Sequence, residues 1–149
     1  MFDGLVFADR VNEQMVLGGY TVQMLAKAMN VSPSTIYNLR RCRYKQPDTP
    51  TFFSLIEVFN CSADYMLGLV DFPFEPTVYY PPLRAYGTRL KALLKEQGKT
   101  QQQFIEDMKI SSNLAHKWFS DKTLPGIDYL IRIAEYFDIS VDALIGRIK

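Results

Sequence analysis

The sequence predicts an all-α protein made of two tandem five-helix domains that are joined by a proline-rich linker. The main observation is a repeat, because residues 7–68 align with residues 86–146 across a single one-residue gap. Each copy is about 60 residues long, the size of a small domain rather than of one solenoid repeat. Apolar residues recur at helical spacing in both copies, and four of the chain's eight prolines lie between them. We place the domains at residues 1–70 and 85–149, and the linker at residues 71–84.

The first copy begins with two predicted helices. The apolar residues of the first helix are Leu5, Phe7, Val11 and Met15. This pattern stops at Gly18 and Gly19, and Thr21 is a typical cap for the start of a second helix. The apolar residues of that second helix are Met24, Leu25, Ala28 and Met29.

The third helix of the first copy follows the second closely. Ser32 followed by Pro33 is typical of a helix start, because proline fits the first helical turn. Ile36 and Leu39 are the apolar residues of this helix. Its remaining side chains are therefore expected to face away from the core.

The fourth and fifth helices complete the first copy, and the second copy repeats the same order. A loop through Pro47 and Pro50 leads to an apolar fourth helix, and Ser62 caps a fifth helix that ends near Gly68. The helices predicted in the second copy lie near residues 86–97, 101–108, 112–119, 127–137 and 141–147. Within that copy, Thr100 and Gln103 are expected to form a capping box.

The composition excludes several classes of protein. With 48% apolar and 13% aromatic residues the chain is not expected to be disordered. It has no apolar run of about 20 residues and no basic leader, so we expect a soluble cytoplasmic protein without a membrane partner. Cys42 and Cys61 are too few for a disulfide scaffold, and no metal-ligand spacing is present. We find no nucleophile–base pair, no paired carboxylates and no glycine-rich phosphate loop, so we expect neither an enzyme nor a cofactor.

The charges are distributed unevenly between the copies, although the net charge is only +1. Residues 14–47 contain no acidic residue. Their basic residues are Lys27, Arg40, Arg41, Arg43 and Lys45. The matching residues 99–122 hold four lysines against three acidic residues. A basic stretch of this kind is compatible with a nucleic-acid surface, or with a solvated helix end where cations favour the helix dipole.

The second and third helices of each copy have the helix-turn-helix arrangement. Two short helices are joined by a short turn, and the second begins with small polar residues that let its backbone approach base edges. Both copies resemble the Xre/Cro-repressor family of five-helix DNA-binding domains. The matching segments are residues 25–39 in the first copy, and residues 89–101, 118–125 and 139–146 in the second. The resemblance implies two tandem repressor-like helix-turn-helix domains, with the third helix of each as the recognition helix.

The resemblance also implies which residues would contact DNA. The base-facing residues would be Pro33, Ser34, Thr35 and Asn38 in the first copy, and Ser112, Asn113, Leu114 and Lys117 in the second. The phosphate-side residues would be Tyr37, Arg40, Arg41, Arg43 and Lys45, together with Gln101, His116 and Lys122. Asn38 could pair with adenine in a bidentate way, whereas Leu114 could meet only a thymine methyl group.

The sequence departs from the family pattern at the turn and at the end of the recognition helix. The turn usually holds glycine, but here it holds Asn30, which tolerates a positive φ, and Lys109, which does so poorly. The family also tends to pair an arginine of its first helix with a glutamate at the end of its third. The corresponding first-copy residues are Met15 and Arg40, so we expect Arg40 to be free for phosphate. In the second copy two apolar residues, Leu94 and Phe119, replace the pair, and we expect Leu114 and Phe119 on or near the DNA face.

We therefore expect a sequence-specific DNA-binding transcriptional regulator whose partner is double-stranded DNA. The first domain is the stronger candidate for reading the major groove, and the second is a weaker half-site reader or a dimerisation unit. The chain would act as a homodimer, or as a monomer that behaves as a pseudo-dimer through its two domains. The alternative is a protein–protein interaction module that kept the fold and lost DNA reading in one or both domains.

Overall fold

A computed structural model describes residues 1–42, 45–73, 79–83 and 85–148 of the chain. All regular secondary structure within those residues is helical. The chain divides into two compact units, Met1–Tyr79 and Tyr80–Lys149, which we call unit 1 and unit 2. The all-α fold class predicted from the sequence is thus confirmed, whereas the predicted domain boundaries stay a prediction.

Unit 1 contains five helices in the part of it that the structure describes. They are α1 (Gly4–Gly18), α2 (Val22–Met29), α3 (Pro33–Arg40), α4 (Thr49–Phe59) and α5 (Ala63–Met66). The helix starts follow from capping side chains, since Thr21 Oγ1 accepts a hydrogen bond from Met24 N at 3.1 Å and Ser62 Oγ accepts one from Tyr65 N at 3.1 Å. Gly19 ends α1 in the left-handed conformation with a φ of 68°.

Unit 2 repeats this order with five helices in its described residues. They are α6 (Tyr86–Glu96), α7 (Gln101–Met108), α8 (Ser112–Phe119), α9 (Ile127–Phe137) and α10 (Val141–Leu144). Thr100 Oγ1 accepts a hydrogen bond from Gln103 N at 3.0 Å, which is the first half of the predicted capping box. The predicted last helix over residues 141–147 is too long, because the chain leaves α10 after Leu144 and turns at Gly146, whose φ is +78°. None of the helices within the described residues is long and apolar enough to span a bilayer.

Each unit has its own apolar core. Large buried side chains of unit 1 are Phe7, Leu25, Ile36, Phe52, Phe53, Leu55 and Ile56, and those of unit 2 are Tyr86, Phe104, Trp118 and Phe137. Three residues that follow the apolar spacing of the predicted helices are exposed: Leu5 to 56%, Met24 to 52%, and Ala28. Leu5 lies in the first turn of α1 on its outer side, and Met24 shares the outer side of α2 with exposed Gln23 and Lys27.

The segment that follows α5 is bound to unit 1. Arg10 Nη1 donates to the carbonyl oxygens of Tyr65 and of Val70, the latter at 2.8 Å. Its guanidinium lies over the Tyr65 ring, 4.2 Å from the ring centroid. Ser62 N donates to the Pro73 carbonyl oxygen at 2.8 Å. Residues of the predicted linker up to Pro73 are therefore held by hydrogen bonds to unit 1.

The segment that precedes α6 is bound to the end of unit 2. Tyr80 N donates to the Arg147 carbonyl oxygen at 2.8 Å, and Leu83 N donates to the Ile145 carbonyl oxygen at 2.9 Å. The Leu83 side chain covers Gly146, where an added Cβ would come within 2.6 Å of Leu83 Cγ. Residues 80–83 therefore form a short strap on the last turn of unit 2.

Candidate nucleic-acid interface

The turn between the second and third helix has the same geometry in both units. Asn30 and Lys109 both adopt the left-handed conformation, with φ of 57° and 54°. After each of them the chain closes the turn with a backbone hydrogen bond, from Val31 N to Ala26 O at 2.9 Å in unit 1. Lys109 thus adopts a positive φ although this conformation is unfavourable for lysine, and its side chain is exposed. Both helix-turn-helix arrangements are formed.

The outer face of α3 presents the residues that were predicted to face bases. Ile36 and Leu39 point inward and are buried, and Thr35 is half-buried. The exposed residues are Pro33, Ser34, Tyr37, Asn38 and Arg40. At the start of the helix, Ser32 Oγ lies 3.1 Å from Ser34 Oγ and 3.2 Å from Thr35 Oγ1. The helix therefore begins with small hydroxyl side chains at its exposed end, as close approach to base edges requires.

Two cavities lie along the sides of α3. One, of about 570 Å³, is lined by residues that include Thr35, Asn38, Arg41 and Lys45. The other, of about 210 Å³, is lined by Asn12, Tyr37, Arg40 and Arg41. Arg41 borders both cavities. A helix that lies in a major groove has a phosphate strand on either side, so cations in these two positions fit the arrangement. Arg43 was also predicted on this face, and it lies outside the described residues.

Arg40 is not free, which is contrary to the prediction. Its Nε donates a hydrogen bond to Asn12 Oδ1 at 2.6 Å, and the Asn12 amide nitrogen donates to the Ala8 carbonyl oxygen at 2.9 Å. Asn12 lies one turn of α1 before Met15, which was the residue expected opposite Arg40. Neither the sequence spacing nor the family pattern indicates this contact, because it joins residues 28 positions apart.

Cys42 lies at the edge of the larger cavity, immediately after Arg41. Its thiol is buried and donates to the Lys45 carbonyl oxygen. Burial raises the pKa of the Cys42 thiol, and the nearby Lys45 charge opposes that effect in part. No group of histidine, cysteine and acidic side chains within the described residues could hold a metal ion.

The outer face of α8 carries the corresponding residues of unit 2. Ser112, Asn113, His116 and Lys117 are exposed, while Leu114 is half-buried. Ser111 Oγ caps the helix by accepting a hydrogen bond from Leu114 N at 3.1 Å. Gln101, at the start of α7, and Lys122, after α8, are also exposed. The residues predicted to contact DNA are therefore arranged around α8 as they are around α3.

Phe119 does not lie on this face, contrary to the prediction. It is only 5% exposed, and its ring packs edge-on against Phe104 with the ring centroids 6.0 Å apart. Trp118 is buried as well, as predicted. The recognition helix of unit 2 therefore ends in core residues and presents no large apolar side chain at that end.

Two of the acidic side chains of unit 2 are held by partners within the unit. Asp121 Oδ1 accepts a hydrogen bond from Gly87 N at 2.6 Å, so it caps the start of α6. Asp107 Oδ2 accepts a hydrogen bond from Tyr136 at 2.6 Å and lies 3.9 Å from Lys99 Nζ. Both carboxylates are thus engaged within the unit, which reduces the electrostatic repulsion that they exert on an anionic partner.

The two units differ in the apolar side chains that they expose. Val16 and Leu17 of α1 are 81% and 67% exposed, and Met24 of α2 is 52% exposed. The repeat alignment places Lys95, Glu96 and Gln103 at the matching positions of unit 2. Met24 follows the apolar spacing of its predicted helix, and the polar residues at the matching positions of the second copy are the sequence signal that all three side chains are exposed.

Comparison with known proteins identifies both units. A family model described as "Helix-turn-helix" matches residues 12–66, and a second, described as "Helix-turn-helix domain", matches residues 87–147. The chain is 36% identical over 59 residues to the "HTH-type transcriptional regulator ImmR" of Bacillus subtilis (strain 168), a match that covers 40% of this chain and 46% of that protein. The chain thus matches less than half the length of this relative. No solved structure matches the chain.

Proposed function

Since the chain belongs to the Xre/Cro-repressor family and carries two of its helix-turn-helix domains, we propose that it is a sequence-specific DNA-binding transcriptional regulator. In this proposal unit 1 is the main reader of the major groove and unit 2 is a weaker half-site reader. Its partner is double-stranded DNA, and the proposal assigns the chain no catalytic step. The two units of one chain would then bind DNA as a pseudo-dimer.

One observation carries the assignment to unit 1. The exposed edge of α3 presents Ser34 and Asn38 for bases and has a cavity with cations in its lining on each side. The larger cavity is also lined by Asp48, whose Oδ1 accepts a hydrogen bond from Thr51 N at 2.8 Å. The exposed side chains of α3 can therefore enter a groove while Arg41 and its neighbours neutralise phosphates on the flanking strands. Small polar residues at the helix start and cations beside it are the combination that groove reading needs.

Unit 2 supports a weaker version of the same role. It presents Asn113 and Lys117 on an exposed helix, and two nearby carboxylates already have partners in the unit. However, Leu114 offers a base only a methyl contact. The face of unit 2 therefore carries fewer specific contacts than that of unit 1.

The proposal is tested by measuring the affinity for mixed-sequence DNA and for selected sequences as the salt concentration is varied. Binding that neutralises phosphates releases counterions, so affinity should fall steeply with salt, and an absent or nearly flat dependence would contradict the proposal. Asn38→Ala should remove a base contact and lower discrimination between sequences by about 1–3 kcal/mol. Lys117→Ala should have a smaller effect on discrimination.

Lys99→Ala is the matched control for charge. It removes one lysine, as Lys117→Ala does, but the Lys99 ammonium is paired with Asp107 and lies 4.8 Å from the centroid of the Tyr136 ring. We expect little change in DNA affinity from it. If Asn38→Ala and Lys117→Ala cause equal losses, the two units read DNA equally and the assigned division of roles is wrong.

A second candidate function is a protein contact made by unit 1. It is favoured by the exposure of Val16, Leu17 and Met24, which are apolar where unit 2 is polar. Such side chains fit a contact with a second copy of the chain, which would make a homodimer instead of the pseudo-dimer. Replacing Val16 and Leu17 together by their unit 2 counterparts, Val16→Lys with Leu17→Glu, should shift a dimer to a monomer in sedimentation experiments. An unchanged sedimentation coefficient would leave DNA reading as the only function supported.

A further inference from the structure

We propose that the 210 Å³ cavity beside α3 binds one phosphate group of the DNA backbone, and that Asn12 is the positioning residue that orients Arg40 for it. This inference rests on the proposed function of unit 1. It adds a residue of α1 that lies outside the helix-turn-helix arrangement, and it assigns Arg40 and Tyr37 to a single phosphate.

The Asn12 amide has a defined orientation. Its nitrogen donates to the Ala8 carbonyl oxygen within α1. The amide oxygen is therefore the atom that faces Arg40, and an arginine can only donate. The Asn12 side chain is thus fixed at both ends of its amide group.

The contact with Asn12 leaves the two terminal nitrogens of Arg40 available. The hydrogen bond to Asn12 uses Nε, and within the described residues it is the only hydrogen bond of this side chain. The two terminal nitrogens remain as a pair of parallel donors. A guanidinium presents such a pair to phosphate in a bidentate way, and holding the side chain in advance reduces the entropy lost on binding.

Within the part of the chain that the structure describes, the cavity is lined only by basic and neutral polar residues. The residues that line it are Asn12, Tyr37, Arg40 and Arg41. It is smaller than the roughly 300–1,000 Å³ of a typical small-molecule site, and no acidic residue lines it. An oxyanion is the ligand that such a lining recognises. Because the cavity adjoins the edge of the recognition helix, a backbone phosphate is the source that the proposed function supplies.

Unit 2 lacks this arrangement. The repeat alignment places Lys91 at the position of Asn12 and the buried Phe119 at the position of Arg40. The pair of Asn12 and Arg40, which we call the clamp, is thus a property of unit 1. It adds one phosphate contact to the stronger reader.

The test compares the salt dependence of binding to a mixed-sequence DNA duplex for the full chain and three variants. Arg40→Ala should lower the slope of log affinity against log salt by about 0.9, the value for one phosphate. Asn12→Ala should lower the slope by part of that amount. The double variant should match Arg40→Ala alone, because Asn12 acts only through Arg40.

Arg40→Lys separates positioning from charge. Lysine keeps the positive charge but has no Nε for Asn12, so this variant should retain most of the slope. Adding Asn12→Ala to Arg40→Lys should leave the slope unchanged. Amide NMR spectra of unit 1 would check that each variant is folded. Additive losses from Asn12→Ala and Arg40→Ala, or an unchanged slope in Arg40→Ala, would overturn the clamp while leaving DNA binding intact. A wild-type chain without salt-dependent binding would overturn both the clamp and the proposed function.

Discussion

The recognition helices of the two units end in different ways, although the order of helices around them is the same. In unit 1 the end of α3 is joined to α1 by an exposed polar contact between Arg40 and Asn12. In unit 2 the end of α8 meets α6 through a close backbone approach at Gly87, and the buried side chain of Phe119 packs against Phe104 of α7. The same helix junction can thus be built from polar or from apolar groups. The polar version leaves a cation at the surface for an anionic partner, and the apolar version strengthens the core instead.

The largest expected effect comes from removing the apolar junction. Phe119→Ala should destabilise unit 2 by about 3–5 kcal/mol, because it leaves a cavity in the core. The matched change Arg40→Ala should destabilise unit 1 by about 1 kcal/mol or less, because the hydrogen bond that it removes is exposed. Urea unfolding checks both: fluorescence of Trp118, the chain's only tryptophan, reports unit 2, and amide hydrogen exchange reports unit 1. Equal losses would show that the two junctions do not differ in the way described.

The next effect comes from the close backbone approach at Gly87. An added Cβ would lie 2.8 Å from the Trp118 carbonyl oxygen and closer still to that of Phe119. Gly87→Ala should therefore destabilise unit 2 by about 1–3 kcal/mol, although alanine has a higher helix propensity than glycine.

The matched position in unit 1 is Ala8, which is buried without such a conflict. Ala8→Gly should cost about 1 kcal/mol through helix propensity and lost packing. Thermal unfolding of the two variants gives the comparison. A more stable Gly87→Ala protein would show that α6 does not need the close approach.

A third effect concerns a further polar contact of unit 1. Tyr65 on α5 donates a hydrogen bond to Glu13 of α1 at 2.7 Å, and Ala143 and Ala92 occupy the matching positions of unit 2. Burial, followed by the hydrogen bond to Glu13, raises the pKa of Tyr65 from 10.0 to about 12. Because the folded state favours the neutral phenol, its contribution to stability is complete below pH 10 and is lost as the pH rises through about 12.

Tyr65→Phe tests this contribution. The wild-type protein should be more stable than the variant by about 1 kcal/mol near neutral pH, and the difference should disappear at strongly alkaline pH. Unit 1 stability measured by hydrogen exchange near neutral pH, and by circular dichroism at high pH, checks the expectation. A difference that stays constant with pH would mean that the hydroxyl contributes nothing through its ionisation.

The smallest effect concerns the turns. Lys109→Gly should stabilise unit 2 by up to about 1 kcal/mol, because glycine adopts a positive φ without the strain that lysine incurs. Asn30→Gly should change the stability of unit 1 by less, since asparagine tolerates that conformation. Melting temperatures of the two variants give the answer, and a destabilised Lys109→Gly protein would mean that the lysine side chain has a compensating contact.

The elements of this fold that local signals determine are the ones that the sequence predicts well. The caps at Thr21, Ser62 and Thr100 act within a few residues, and all three bind the backbone amide that the pattern indicates. The buried faces of α3 and α8 also follow from helical spacing, as Ile36 and Trp118 show. The identity of the exposed residues on those helices could thus be predicted before the structure.

The features that sequence reasoning missed depend on contacts between distant residues. Arg40 was expected to be free because the family's glutamate is absent, and no pattern indicates that Asn12 takes its place. Phe119 was expected on or near the DNA face, yet its side chain is buried against Phe104. Leu5 and Met24 fit the apolar spacing of their helices but lie where no second element covers them.

The strap formed by residues 80–83 has a consequence for how unit 2 is made. Its bonds join the first residues of the unit to its last, from Tyr80 and Leu83 to Arg147 and Ile145. During synthesis the strap leaves the ribosome well before its partners exist, so unit 2 cannot close its final turn until its last residues have emerged. Unit 1 also joins its first helix to its end, through Arg10 and the Val70 carbonyl oxygen, but these residues are made before the strap of unit 2. A nascent chain would therefore carry a complete unit 1 while unit 2 is still incomplete.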